Sequence, residues 1–236
     1  MIATVPMPPP RPLKLLSSMA ARDVLAELIK GFTAQTGQPV AAEAAGGVEV
    51  AKRIQSGEAS DVVVLSDTAI DKLIAAAQLC PGRVDLVKSG VAIAVRSGAS
   101  QPDIGTEAAV KAAVCGASLL SYSTGPSGVY LEKLFERWGI LETIRSRIVV
   151  PPPGIPVGTL VADGRAALGF QQLSELLNVA GIEVLGPLPA AIQTITTFSA
   201  GISVRCEHPQ LAAQLLDYMR LPAATGVKQR YGMEPA

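Results

Sequence analysis

Aromatic residues make up only 4% of this 236-residue chain, with a single tryptophan. That argues against base-stacking platforms and sugar-binding aromatic clefts. Neither sign of charge prevails, since Lys plus Arg and Asp plus Glu both count 20, so no global field draws the chain to nucleic acid or to an anionic membrane. Charge selectivity must therefore be local. There is one histidine, His208, and the three cysteines, Cys80, Cys115 and Cys206, lie too far apart for a metal-ligand spacing. They are expected to be buried and reduced. No run reaches the ~20 apolar residues that a membrane span needs, and Met1 to Pro12 lacks a cationic stretch followed by an apolar one. As written, the sequence reads as cytoplasmic, a reading the odd cysteine count favours mildly; a periplasmic chain relieved of its export signal would look the same. No Ser-His-Asp set, zinc spacing or phosphate-binding Gly-Lys motif occurs.

What is present is apolar bulk in a regular order. With 49% hydrophobic residues the chain can bury a sizeable core, and its length suits one large or two small domains. Pro6, Pro8, Pro9, Pro10 and Pro12 form a polyproline-like or disordered lead, so structure is expected to begin at Leu13. Leu13 to Ser17 reads as a buried strand, and Val24, Leu25, Leu28, Ile29 and Phe32 then recur at helical spacing up to Gly37. Pro39 to Ala45 predicts a strand, Val48 to Gln55 a helix, Asp61 to Leu65 an apolar strand suited to a parallel sheet, and Asp67 to Gln78 a helix ended by Pro81-Gly82.

A second series is expected from Val91 onward. It comprises strands at Ser118 to Tyr122, Ile148 to Val150 and Ala167 to Gln171, with helices at Val129 to Trp138, Val157 to Ala162 and Ser174 to Leu177. Two long strands, near Val87 to Val95 and Gln193 to Val204, are expected to cross between lobes, and helices at Pro209 to Arg220 and Ala223 to Tyr231 return to the first lobe. The expectation is an α/β fold of two lobes, each a mixed, mostly parallel sheet flanked by helices, joined by a two-stranded hinge. Residues 13–88 with 200–236 form one lobe and residues 89–199 the other.

Four segments place small or hydroxyl-bearing residues just ahead of a helix: Ser17-Ser18, Gly46-Gly47, Ser123-Thr124-Gly125-Pro126-Ser127-Gly128 and Pro156-Val157-Gly158-Thr159. The first amides of a helix have no partner within it and carry partial positive charge, so they attract anions without a cationic cluster. A single such start is ordinarily only a cap. Four of them, each at the end of an apolar strand, point to one shared anion.

Several of these segments carry a family likeness. Leu15-Leu16-Ser17-Ser18, Phe32-Thr33-Ala34-Gln35-Thr36-Gly37, Gly57-Glu58-Ala59-Ser60-Asp61-Val62-Val63-Val64 and Tyr122 to Gly128 resemble type II periplasmic solute-binding proteins, in the branch of the molybdate-binding proteins. Ala166 to Gln172 and Pro209 to Gly232 fit the same pattern, so the resemblance runs from Leu13 to Gly232. It implies a small anion held between the lobes, no cofactor, no metal, no nucleic acid, action as a monomer and, for an exported protein, an ABC permease as partner. Carried over by position are Ser17 or Ser18, an amide in the loop with Thr124 and Ser127, and Val157; Gly46 and Gly47 stand at the second helix start, and Gln172 and the nearby cation Arg22 are added from the reading of the residues.

The sequence departs from molybdate-binding relatives at two of these positions. Gly46-Gly47 has no hydroxyls, and Phe170-Gln171-Gln172 stands where a Tyr is expected. With Arg22 nearby, this suits a planar carboxylate better than a tetrahedral oxyanion, because guanidinium and carboxylate form two parallel hydrogen bonds. Gln171 and Gln172 alternate on a strand, and Gln172, nearer its C-terminal end, is preferred for the cleft. The branch also includes aconitate isomerases, which share Gly-Phe-Gln-Gln and Gly-Pro-Leu-Pro segments and move a proton across an allyl system; such an enzyme needs a base. Glu43, Glu49 and Glu175 are the carboxylates near the expected cleft. His208 reads as an exposed residue at a helix start and Arg165 as a surface turn residue. A third reading, a cytoplasmic sensor, would require a further interaction surface.

Overall fold

The computed structural model describes residues 11–152 and 154–236; the expected polyproline lead before Arg11 lies outside them. In the first lobe β1 (Leu13–Ser18) passes through a 3-10 turn, Met19–Ala21, into α1 (Arg22–Thr36). The helix buries Val24, Leu25, Leu28, Ile29 and Phe32, its i, i+4 stripe, and ends at Gly37, where φ of 73° lets the amide reach the Thr33 carbonyl. β2 (Val40–Ala45) leads to α2 (Gly47–Gln55), and β3 (Val62–Ser66), buried at every residue, leads to α3 (Asp67–Ala75). β2 and β3 both pair with β1 in parallel. The Val-rich run of β3 is what a strand covered on both faces requires. α1 lies on one face of this sheet with Leu215, Leu216 and Met219 of α9 (Pro209–Arg220); Val50, Ile54, Ile70 and Leu73 of α2 and α3 cover the other.

β4 (Val84–Arg96) belongs to both lobes. Its residues up to Gly90 pair with β8 (Ile195–Ile202) in the first sheet. From Val91 on it pairs with β6 (Leu168–Gln172) and β7 (Ile182–Pro187) in the second. Then come α4 (Glu107–Gly116), β5 (Leu120–Tyr122) parallel to β6, α5 (Pro126–Arg137), α6 (Leu141–Ile144), α7 (Val157–Ala162) and α8 (Leu173–Leu176). Phe135, Phe170, Leu131, Val114 and Ile93 fill the second core. The chain closes with α10 (Thr225–Arg230) and β9 (Glu234–Pro235), which adds to β4 in the first lobe.

The structure departs from the sequence reading in several places. Both sheets are mixed, but five of the eight strand pairings are antiparallel and three parallel. A strand that crosses between lobes re-enters a sheet against the direction of the strands already there. Ile148 to Val150 is not a strand; Ile148 makes only an isolated bridge to Leu120. α4 and β7 were not expected. α4 anchors itself through only two buried valines, Val110 and Val114, among alanines, and β7 is half-buried and ends in Gly186-Pro187, so neither has a strong apolar period. Cys80 and Cys206 are half-buried free thiols, while Cys115 is exposed at the end of α4, against the expectation of burial.

Candidate functional site

Parallel pairing puts the C-terminal ends of β1, β2 and β3 on one edge, with Ser17 opposite Ala44 and Val64, and Ser18 opposite Ala45. Each end runs into a helix start, the usual position of a ligand crevice in such sheets. Gly46 is the N-cap of α2, and a Cβ on Gly47 would sit 3.7 Å from the Ser18 Cβ, so the α2 amides lie against Ser18. Ser17 and Ser18 are 2% and 6% exposed.

In the other lobe Ser123 and Ser127 share a hydrogen bond of 2.9 Å between hydroxyls. Thr124 between them is exposed. A Cβ on Gly128 would lie 1.6 Å from the Ser123 carbonyl oxygen, so only glycine allows this loop to fold back onto its own helix. Val157, at the start of α7, is buried. Gly169 lets α7 close down on β6, since a Cβ there would meet Val161 at 2.5 Å and Val157 at 2.9 Å.

The lobes touch where β6 runs into α8. α8 packs against Met19–Ala21, and Asn178 donates to Asp23 at 3.4 Å. Arg22 begins α1 beside this seam. Its Nε donates to Asp23 at 2.7 Å, while its two terminal nitrogens make no hydrogen bond among the described residues. Arg22 lines a cavity of about 600 Å3 with Met19, Ala44, Ala45, Glu49, the Arg53–Glu43 ion pair and, from the second lobe, Gly154. A larger cavity, of about 1050 Å3, lies along the outer side of α1, away from the strand ends, where Glu27 is already held by Tyr231 and Arg230.

Five buried side-chain oxygens lack a partner among the described residues: Ser18 Oγ, Ser89 Oγ, Gln171 Oε1, Gln172 Oε1 and Ser174 Oγ. Buried polar atoms are almost always paired, and these five belong to the strand ends and the lobe crossing. Gln172 donates to Thr196 at 2.9 Å, and Thr196 stands opposite Ser89 on neighbouring strands, which gathers two of the five, Gln172 and Ser89, around Thr196 at the crossing. Gln171 takes the other direction and donates to Glu175 at 2.8 Å.

Charges here fall into two kinds. Glu43 is exposed and held by Arg53, which also binds Glu58; the hydrogen bond from Arg53 keeps the Glu43 carboxyl below its usual range. Glu175 differs. Burial pushes its carboxyl up to about 7, against smaller opposing effects of the Gln171 hydrogen bond and the Arg22 charge.

Of the positions singled out in the sequence, Ser17, Ser18, Gly46, Gly47 and Arg22 gather on the first-lobe edge, and Ser127, Val157 and Gln172 are buried at element ends of the second. Thr124 stays at the surface. His208 and Arg165 are exposed, at a helix start and in a bend. The seam and the crossing also hold Ser89, Ser174, Thr196, Gln193 and Asp23, none of which stands out in the sequence. The polar Lys88-Ser89-Gly90 interruption in an otherwise apolar strand is the signal that marks the crossing.

Against known proteins, residues 13–234 match the model of the family described as bacterial extracellular solute-binding protein. An aconitate isomerase from a Pseudomonas species is 34% identical over 247 residues, covering all of this chain and 93% of the relative. The periplasmic molybdate-binding protein of Azotobacter vinelandii superposes with a TM-score of 0.77 at 22% identity, over 94% of this chain and 98% of that one. The sulfate-binding protein of Mycobacterium tuberculosis gives a TM-score of 0.77 at 13% identity, over 95% and 86%. At those identities the two structures speak for the fold alone.

Proposed function

Because the chain belongs to the bacterial extracellular solute-binding protein family, we propose that its interlobe cleft closes over a small polycarboxylate anion. The observation that carries this reading is Arg22, whose terminal guanidinium nitrogens are unengaged beside helix starts that supply amides but, at Gly46-Gly47, no hydroxyl. A planar fork of donors fits a carboxylate, whereas a tetrahedral oxyanion is better served by converging hydroxyls. The amides of Gly47, Ser127 and Val157, the Ser17 and Ser18 hydroxyls and the Gln172 amide would complete the shell, with Thr124 joining it on closure.

The bodies that close are residues 13–88 with 200–236 and residues 89–199, the first residues of β8 joining the first body through their ladder. In this reading the protein works in the periplasm as a monomer and presents its anion to an ABC permease. A thermal-shift panel decides the ligand class. A ligand of the native state at a hundred times its Kd stabilises by about 2.7 kcal/mol, so cis-aconitate, trans-aconitate or citrate should raise the Tm by several degrees while molybdate and sulfate leave it unchanged. The reverse order would overturn the assignment.

A second reading has a specific observation behind it: the relative that matches over the whole chain is named an aconitate isomerase. Here the same cleft interconverts the geometric isomers of an unsaturated tricarboxylate without a cofactor. Proton NMR of cis-aconitate incubated with the protein separates the two. Appearance of the trans isomer establishes an enzyme; binding without conversion leaves a carrier.

A further inference from the structure

We propose that Glu175 carries the proton between the two ends of the allyl system of an unsaturated tricarboxylate bound in this cleft. The proposal rests on the isomerase reading and assigns its missing base.

Glu175 lies in the single turn of α8, directly after β6, on the element that packs against Met19–Ala21 of the opposite lobe. It is therefore at the seam between the lobes, one helix start away from Arg22. Gln171, four residues earlier, donates its Nε2 to Glu175 Oε1 at 2.8 Å. That bond fixes the plane of the carboxyl and leaves Oε2 without a partner among the described residues. Unlike the five orphan oxygens around it, Oε2 is not sealed from solvent.

The surroundings bear on its titration. β6, α7 and the Met19–Ala21 turn carry no titratable side chain. β4 carries Asp85, Lys88 and Arg96, of which Asp85 is tied to Arg83 and Ser199 and Lys88 and Arg96 are exposed. From α1 the facing group is Arg22, partnered by Asp23. Burial raises the carboxyl and the Gln171 hydrogen bond and Arg22 only partly offset it, which leaves it at about 7, where a base that must also act as an acid works best. The other carboxylates near the cleft do not share this setting: Glu43 is locked to Arg53, and Glu49 is exposed.

The chemistry closes without a co-reactant. Ionised Glu175 removes a proton from the CH2 carbon beside the double bond, and the C–H electron pair enters conjugation with the double bond and a carboxylate. The double bond shifts by one carbon. The neutral acid then returns a proton to the former vinylic carbon, regenerating the carboxylate and leaving the geometric isomer. Arg22, paired with a substrate carboxylate, would stabilise the negative charge that gathers on it during the transfer.

The test uses the whole protein with cis-aconitate, following trans-aconitate by proton NMR and binding by calorimetry. The wild type should convert the substrate, with kcat/KM rising between pH 6 and 8 about a midpoint near 7. Glu175→Gln should bind cis-aconitate within a few-fold of wild type and lose at least about a hundredfold in turnover, the usual loss for an acid–base group. Glu175→Asp, which keeps the carboxyl but shortens its reach, should retain measurable turnover with a displaced pH midpoint; it is also the deciding variant if Glu175→Gln fails to fold. Wild-type turnover that survives in Glu175→Gln, or a pH midpoint unmoved in Glu175→Asp, overturns the role of Glu175 and leaves the isomerase reading standing. A wild type that binds but does not convert removes both.

Discussion

The titration of Glu175 should be visible in stability before any ligand is added. Its carboxyl is raised from an ordinary 4.5 to about 7 in the native state, chiefly by burial. The native state therefore holds the proton more tightly than the unfolded chain, and ionisation disfavours folding. Below pH 4.5 the group is neutral in both states and contributes nothing. Between 4.5 and 7 the wild type loses stability progressively, and above 7 the deficit is constant. At about 1.4 kcal/mol for each pH unit, the displacement corresponds to at most about 3 kcal/mol, an upper bound because Glu175 is only half-buried and solvent at Oε2 screens its charge. Glu175→Gln keeps the shape and can still accept from Gln171, but it has no charge to bury. Its advantage over wild type should grow from near zero at pH 4.5 to a plateau of at most about 3 kcal/mol by pH 8, which is no more than roughly 6–12 °C in Tm for a domain of this size. Urea unfolding of both proteins at half-unit pH steps, in buffers free of carboxylates, measures the difference while every other titrating group cancels. Parallel stability curves across this range would refute the argument, because they would mean that Glu175 has the same proton affinity folded and unfolded.

Other substitutions probe the remaining parts of the site. Arg22→Ala should weaken polycarboxylate binding by about tenfold or more, the scale of a charge-assisted hydrogen bond, with little change in the unliganded Tm because the side chain is half exposed; calorimetric titration reads it. Gly128→Ala drives a methyl into the Ser123 carbonyl and should both destabilise by about 2 kcal/mol and abolish anion binding, the second seen as a lost thermal shift. Gly47→Ser should be tolerated, since the new Cβ meets nothing nearer than 3.7 Å, and the added hydroxyl should raise affinity for molybdate or sulfate relative to wild type in the same thermal-shift panel.

Much of the first lobe was legible because its signals are local. The Leu13–Ser18 and Val62–Ser66 runs and the Val24–Phe32 stripe state their burial in their own spacing. The second lobe is harder to read: α4 leans on two valines and β7 on one covered face, so their pairing partners, not their own residues, decide their form. The site divides in the same way. Ser18, Gly47 and Arg22 stand at helix starts and announce themselves. Glu175 was one carboxylate among three until the packing of α8 on Met19–Ala21 set it apart, and nothing in the order of residues indicates that Gln171 holds it.

On one side of β4 the ladder with β8 stops at Gly90 and the ladder with β7 begins at Ala92. Gln193 fills the interval, accepting from the Val91 amide and donating to the Val91 carbonyl, both at 3.0 Å, and Gly90 leaves room for it to lie flat. The Leu188 backbone amide shares the Val91 carbonyl with it, at 3.0 Å, so the Val91 amide is the group that a side chain alone satisfies. A carboxamide reaches that amide through its own side-chain torsions, so the junction of the two ladders is held partly by a side chain and not by strand pairing alone. A substitution of Gln193 would therefore loosen the join between the two ladders while leaving every strand end that faces the crevice in place.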